Sequence, residues 1–196
     1  YGRECVLEIK VAFFKGEGAW HNRIVRQYTS SKYSHAELIL PDGKSSLSIT
    51  PFGRQGVRLA EFDYDEDWDF ISISIDEEQY DRLINFYNKT KGDGYDWFGM
   101  IASKFTPFHV KRVGRWYCSE WIAYALRLLG IVDNVYAYAD LTPQRLYELL
   151  ASYRLEQEIQ AHKENESPVP PVGPKPELYK RSKTVSPGVY VTEKTL

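Results

Sequence analysis

The chain has 196 residues, and 43% of them are hydrophobic, which is enough for one domain with an ordinary core. Its 25 basic and 27 acidic residues give a formal net charge of −2, which argues against non-specific binding to nucleic acid. No stretch approaches the roughly 20 apolar residues that a membrane-spanning helix needs, and we expect no signal peptide in the first residues.

The first half of the chain predicts several short strands. Strands are indicated by β-prone, partly alternating segments that are bounded by Gly, Pro, Asn, Asp and Ser. The segment PDGK, residues 41–44, has the chemistry of a hairpin turn. The predicted order is a strand over 5–14, a short helix over 16–30, strands over 34–40 and 45–50, and further strands over 57–62 and 68–75.

The second half predicts helices. A helix is expected over 76–91, where Asp76 and Gln79 have the spacing of a capping box. The segment 92–105 is a Gly-rich turn that leads into another helix. The helix Cys118–Leu129 is stopped by Gly130. The last predicted helix begins with Thr142 as N-cap and Pro143 at the first helical position.

After about residue 160 the composition changes to a Pro-rich, charged segment with almost nothing to bury. The final stretch, TVSPGVYVTEKTL, is β-prone again. It is either a strand that pairs with the sheet edge of another chain or a disordered terminus. The predicted organisation is a domain over 1–160, a linker or arm over 161–183, and a strand-like anchoring peptide over 184–196.

Cys118 stands at the start of a predicted helix, in the segment RWYCSEWIAYAL. A helix N-terminus stabilises a thiolate through its dipole and its unpaired backbone N–H groups. The spacing of Cys118 with Ile122, Ala125 and Leu129 also fits a buried core cysteine, and that alternative stays open. The other cysteine, Cys5, lies in a predicted strand, and two free thiols are expected.

A nucleophilic cysteine needs a base, and His35 is the best placed of the four histidines. It begins a predicted strand, where a ring is held rigidly at the edge of a cleft. Glu37 shares its face of the strand and either orients the ring or is a solvated carboxylate. The histidine and cysteine spacings give no metal site, and no cofactor motif is present.

Three motifs occur in a characteristic order, namely YSHAELIL, then GDGYDWFGMIA, then WYCSEWIAYAL. The set, over about residues 5–150, resembles the circularly permuted papain-like amidases of the NlpC-type superfamily. That superfamily also includes the lecithin:retinol acyltransferase group. The resemblance implies an α+β fold in which a small antiparallel sheet packs on helices and the cysteine faces the histidine.

The resemblance also implies roles for individual residues. Cys118 would be the nucleophile and His35 the general base, as in other thiol hydrolases. The third, orienting residue is expected on the strand after His35, where Ser48 takes the position, with Thr50 and Glu37 as alternatives. Three aromatic residues are candidates for the substrate cleft, with core or surface packing as the alternative, namely Tyr33, Trp116 and Tyr117.

The C-terminal segment SPGVYVTE is similar to the opening strand of contractile phage tail-sheath proteins. With the Pro-rich arm, this similarity suggests a domain that is tethered to a tail or baseplate in a virion. We therefore expect a cysteine amidase or peptidase that acts on cell-wall peptide. The alternatives are a structural or binding component on an inactive amidase fold, and an acyltransferase or thioesterase of the same fold.

Overall fold

The computed structural model describes residues 6–17, 31–50, 56–96, 114–133 and 141–165. Within these ranges the protein has an α+β fold, with a five-stranded antiparallel sheet, a separate two-stranded ladder and three helices. The sheet has the order β4-β3-β2-β1-β5. Its strands are β1 (Leu7–Phe14), β2 (His35–Ile39), β3 (Ser45–Ile49), β4 (Val57–Glu61) and β5 (Trp68–Ile75). The ladder joins β6 (Gly94–Tyr95) to β7 (Arg115–Trp116), and the helices are α1 (Glu77–Thr90), α2 (Cys118–Leu128) and α3 (Pro143–Asn165).

The two faces of the sheet differ in composition. Alternate residues of β1, such as Val11 and Phe13, are fully buried in the main core with α1 and α2. The other face carries a smaller cluster that contains Ala12, Ile39 and Trp68. Because side chains alternate along a strand, His35 and Glu37 lie on the same face as Ile39. We call this second face the outer face of the sheet.

Helix α1 begins at the predicted capping box and packs on α2. The backbone N–H of Gln79 donates to Asp76 Oδ1 over 2.7 Å, and the N–H of Asp76 donates to Gln79 Oε1 over 2.9 Å. The Phe86 ring stacks on Trp121 of α2 with 5.2 Å between ring centres. Trp121 Nε1 also donates to Thr90 Oγ1 over 3.0 Å, so a buried polar contact joins the two helices.

Helix α3 starts as predicted but ends later than expected. Thr142 Oγ1 accepts from the backbone N–H of Arg145 over 3.2 Å, and Pro143 is the first helical residue. The helix continues to Asn165, into the region that the composition predicts to be the arm. Its exposed final turns contain helix-favouring residues and an Arg154–Glu158 ion pair of 3.0 Å, which explain the extension.

The strands predicted over the first half of the chain are present where the structure describes them. The helices predicted over 16–30 and after the turn of 92–105 lie largely or wholly outside the described residues. The remainder of the arm and the terminal peptide, residues 166–196, lie outside them as well. In the part of the chain that the structure describes, no helix combines the length and the apolar character needed to cross a membrane.

Candidate functional site

Cys118 is the first residue of α2 and is held in place from both sides. The preceding residue, Tyr117, is the N-cap in an extended conformation, and β7 ends just before it. The following residue, Ser119, is fully buried, and its hydroxyl donates to the backbone carbonyl of Leu141. The Cys118 side chain is therefore fixed at the N-terminus of a helix, with only 4% of the residue exposed.

His35 is the first residue of β2, and its ring meets the Cys118 sulfur. The backbone of His35 pairs with Phe14 of β1, which fixes the start of the strand. The ring and the sulfur lie close enough for each to shift the pKa of the other. The edge of the Trp68 ring packs nearby, at 6.4 Å between ring centres, and 17% of the His35 side chain stays exposed. The two predicted partners therefore lie together, at the junction of α2 and the sheet.

Glu37 occupies the other side of the imidazole. His35 Nε2 lies 3.2 Å from Glu37 Oε1. The second oxygen of Glu37 accepts hydrogen bonds from Ser46 Oγ over 2.9 Å and from Tyr64 Oη over 3.0 Å. Because Glu37 is only 4% exposed, these contacts hold its carboxylate in a single position.

The electrostatics of the three residues are coupled. Burial alone would raise the pKa of Cys118, but the His35 ring and the backbone N–H groups of Ala36 and Ser119 lower that pKa overall. Burial alone would lower the pKa of His35, but Cys118 and then Glu37 raise it to about 10. The geometry therefore favours a thiolate beside an imidazolium at neutral pH.

The pKa of Glu37 shifts in the opposite direction from the one that burial favours. Burial would raise this pKa, but His35, Ser46 and Tyr64 lower it to about 2. Burial and the Glu37 charge in turn raise the pKa of Tyr64, so the phenol keeps its proton and donates. Glu37 is therefore a carboxylate over the whole neutral range, and it faces the ring as an acceptor.

The structure places Glu37, and not Ser48, against the imidazole. Ser48 is 1% exposed, and its hydroxyl has no hydrogen-bond partner among the described residues. Thr50 directly follows β3 and is half-buried. Glu37 takes the place predicted for Ser48 because it is two residues after His35 on the same face of the same strand. Its longer side chain can turn back to the ring.

The three aromatic residues predicted for the cleft lie in different places. Tyr33 is 1% exposed, stacks near Phe13 and donates to Asp69 over 2.6 Å, which are the contacts of a core residue. Trp116 is also largely buried and lines a groove of about 670 Å³ between α1 and α2, whose lining does not include Cys118 or His35. Tyr117 is half-buried beside the sulfur-bearing residue.

Two tyrosines of the site were not singled out from the sequence. Tyr95 ends β6, which pairs in parallel with β7, and its phenol lies near enough to Cys118 for the thiolate to raise its pKa beyond the effect of burial. The signal for Tyr95 was its place in the motif GDGYDWFGMIA. Tyr64 stands in the acidic run DYDEDWD between β4 and β5, and nothing in the sequence pointed to its contact with Glu37.

Comparison with models of known protein families gave no match, and comparison with curated protein sequences gave none either. Among the described residues, no group of three or more His, Cys, Asp or Glu side chains is arranged to hold a metal ion. Any function must therefore be argued from the arrangement of Cys118, His35 and Glu37.

Proposed function

We propose that the protein is a cysteine amidase or peptidase of the permuted papain-like kind, with Cys118 as nucleophile and His35 as acid and base. One observation carries this proposal, namely that the Cys118 sulfur lies close enough to the His35 ring for each to shift the pKa of the other, while the ring Nε2 lies 3.2 Å from the buried Glu37 carboxylate. A nucleophile, a base and a group that orients the base are the three parts that thiol hydrolases require.

The proposed reaction has two steps. The Cys118 thiolate attacks the amide carbonyl carbon, the C–N bond breaks, and His35 gives its proton to the departing amine. The resulting thioester is then hydrolysed by water, which His35 deprotonates, so the thiolate and the acid product are released. Glu37 stabilises the imidazolium that begins the first step and forms again in the second.

The developing oxyanion needs donors that are already in place. The backbone N–H of Cys118, at the start of α2, is one candidate, since the first N–H groups of a helix have no partner within the helix. The Tyr95 phenol is a second candidate, because it lies near the sulfur and burial keeps it protonated. We assign both groups to the tetrahedral intermediate.

The proposed substrate is an amide bond in cell-wall peptide, and the proposed setting is a virion to which the C-terminal arm tethers the enzyme. The inactive-fold alternative depends on Ser48 as the third residue, because a hydroxyl stabilises an imidazolium less than a carboxylate does. The Glu37 carboxylate of β2, 3.2 Å from the ring, makes this alternative weaker. An acyltransferase or thioesterase would use the same thioester, so the fate of the acyl group separates these functions from an amidase.

The test is incubation of the intact protein with solubilised cell-wall peptides, with Cys118→Ala as the matched variant. We expect new amino groups and new carboxylates in equal amounts with the natural chain, and none with the variant. An acyl group found by intact mass on Cys118, and passed on to an added alcohol or amine, would indicate a transferase instead. If neither cleavage nor a covalent adduct occurs on any wall preparation, the proposed enzyme function is wrong.

A further inference from the structure

The groove between α1 and α2 has an aromatic floor and lies apart from the candidate catalytic residues. Its volume of about 670 Å³ is ample for an aromatic side chain and the residues on either side of it. The Phe86 ring stacks on Tyr124 with 5.4 Å between ring centres and meets Trp116 edge-on at 5.9 Å. Leu128, which also lines the groove, is 41% exposed. The groove is therefore an apolar contact surface that the described chain leaves open.

The rim of this groove is positively charged. Arg82 and Lys89 are exposed and stand two turns apart on α1. Arg82 has one loose contact, 3.6 Å from the exposed Glu78, and Lys89 takes part in none of the ion pairs among the described residues. Asp93, the one acid of the lining, already accepts from Trp116 Nε1 over 2.9 Å. The groove therefore fits an apolar group with negative charge beside it.

The loop between β4 and β5 presents a surface of this chemistry. Its Phe62 side chain is 44% exposed, although large apolar side chains are usually buried. Exposed carboxylates surround it in the sequence, namely Glu61, Asp63 and Glu66. None of the three takes part in an ion pair in the ranges that the structure describes. We call residues 61–66 the acidic loop.

One chain cannot bring its own acidic loop to its own groove. Val57, the first residue of β4, donates its backbone N–H to the carbonyl of Asp93 in the groove over 2.9 Å. The acidic loop begins at the other end of β4, roughly 13 Å away. Phe62 also packs on Trp68 of the outer face, at 5.5 Å between ring centres, whereas α1 and α2 cover the opposite face. A contact between the two surfaces must therefore join two copies.

We propose that the acidic loop of one copy binds in the groove of the next. Phe62 would lie against the aromatic floor, and Glu61 and Asp63 would face Arg82 and Lys89. Because the two surfaces differ, every copy keeps one free surface at each end, so copies add head to tail into a ring or a filament. This self-association goes beyond the proposed enzyme function and does not depend on it.

The test is sedimentation velocity of the full chain in reducing buffer over a wide range of concentrations. We expect the mean mass to rise with concentration and to fall when salt is added, since the paired charges lie at the rim. Lys89→Glu damages only the groove, and Phe62→Ser damages only the loop. Each should lower the association constant at least about tenfold, because anchors of this kind carry most of the binding energy.

A mixture of the two variants gives the sharpest result. The Lys89→Glu chain keeps an intact loop and the Phe62→Ser chain an intact groove, so the mixture should form dimers and nothing larger. Lys163→Glu, which reverses the charge of an exposed lysine of α3, should associate as the natural chain does. The unfolding temperature of each variant checks that it is folded, and Asp63→Lys is a second loop variant that leaves the ring cluster intact.

Three results would overturn the proposal. A natural chain that stays monomeric at every concentration would leave the groove to another acidic partner. Association that survives both Lys89→Glu and the loop variants would place the interface elsewhere. A mixture of folded variants that stays monomeric would show that loop and groove do not bind each other.

Discussion

At the scale of single residues, Glu37 decides how the imidazole of His35 is held. Its carboxylate is buried, lies 3.2 Å from the ring and accepts from Ser46 and Tyr64. Such a group both orients the ring and stabilises the imidazolium, as the acidic member of a hydrolase triad does. Removal of the charge should therefore affect both the reactivity of Cys118 and the stability of the fold.

We predict that Glu37→Gln lowers the rate of Cys118 alkylation by iodoacetamide at pH 6 about tenfold and destabilises the fold at pH 7 by about 3 kcal/mol. The predicted loss of folding free energy follows from the pKa of Glu37, which is about 2 in the folded chain and about 4.5 in the unfolded chain. Because the folded pKa is lowered, this stability is complete above pH 4.5 and is lost as the pH falls towards 2. Urea unfolding of both chains at several pH values measures the difference.

Glu61→Gln is the matched control, since Glu61 is an exposed carboxylate on the edge strand β4. It should change neither the alkylation rate nor the pH dependence of unfolding appreciably. If Glu37→Gln unfolds at the same urea concentration as the natural chain at pH 7, the carboxylate does not stabilise the fold as described here.

The sequence predicted some residues of the site but not their contacts with one another. Cys118 and His35 could be proposed because their positions, a helix start and a strand start, are local properties that motifs carry. The choice between Ser48 and Glu37 could not be made, because it depends on how far a side chain bends back along β2. The contact of Tyr64 with Glu37 depends on the path of a loop, which no periodicity encodes.

At the scale of elements, α2 and β2 position the site, and α3 precedes the Pro-rich segment of the sequence. The capping box of α1 and the Thr142–Pro143 start of α3 were predictable, since capping depends on residue types at fixed spacing. The end of α3 was not predictable, because an exposed charged segment without a Gly or Pro stop can continue as a helix. The final turns of α3 are exposed to solvent.

We predict that a chain ending at Asn165 keeps the alkylation rate of Cys118 and its unfolding temperature within experimental error. The reason is that every described contact of the site involves residues before α3 or its first turns.

If the arm is a tether, the shortened chain should also fail to join the assembly that the full chain enters, as measured by co-sedimentation with tail particles. A shortened chain that still joins would contradict the tether, and one with slow alkylation would contradict the independence of the site from the arm.

At the scale of the whole molecule, the α+β arrangement brings the ends of distant segments together. β2 ends at Ile39 and α2 begins at Cys118, yet the sheet order β4-β3-β2-β1-β5 sets β2 in its centre, where α2 packs on it. The pairing of β6 with β7 adds Tyr95 to the same place. The fold class was implied by the family resemblance of the three motifs, whereas this convergence of distant segments needed the coordinates.

The central claim is that Cys118 is held as a thiolate by His35, and the rate of Cys118 alkylation by iodoacetamide between pH 5 and pH 9 tests it most directly. The natural chain should approach its maximal rate at a lower pH than an ordinary thiol does, because its thiol pKa is lowered. His35→Ala should react at pH 6 on the order of 100-fold more slowly and gain rate only near pH 8.5, where an ordinary thiol ionises. His162→Ala, which removes an exposed histidine of α3, should behave as the natural chain. Equally slow reaction of the natural chain and His35→Ala, with the same rise near pH 8.5, would contradict the thiolate–imidazolium pair.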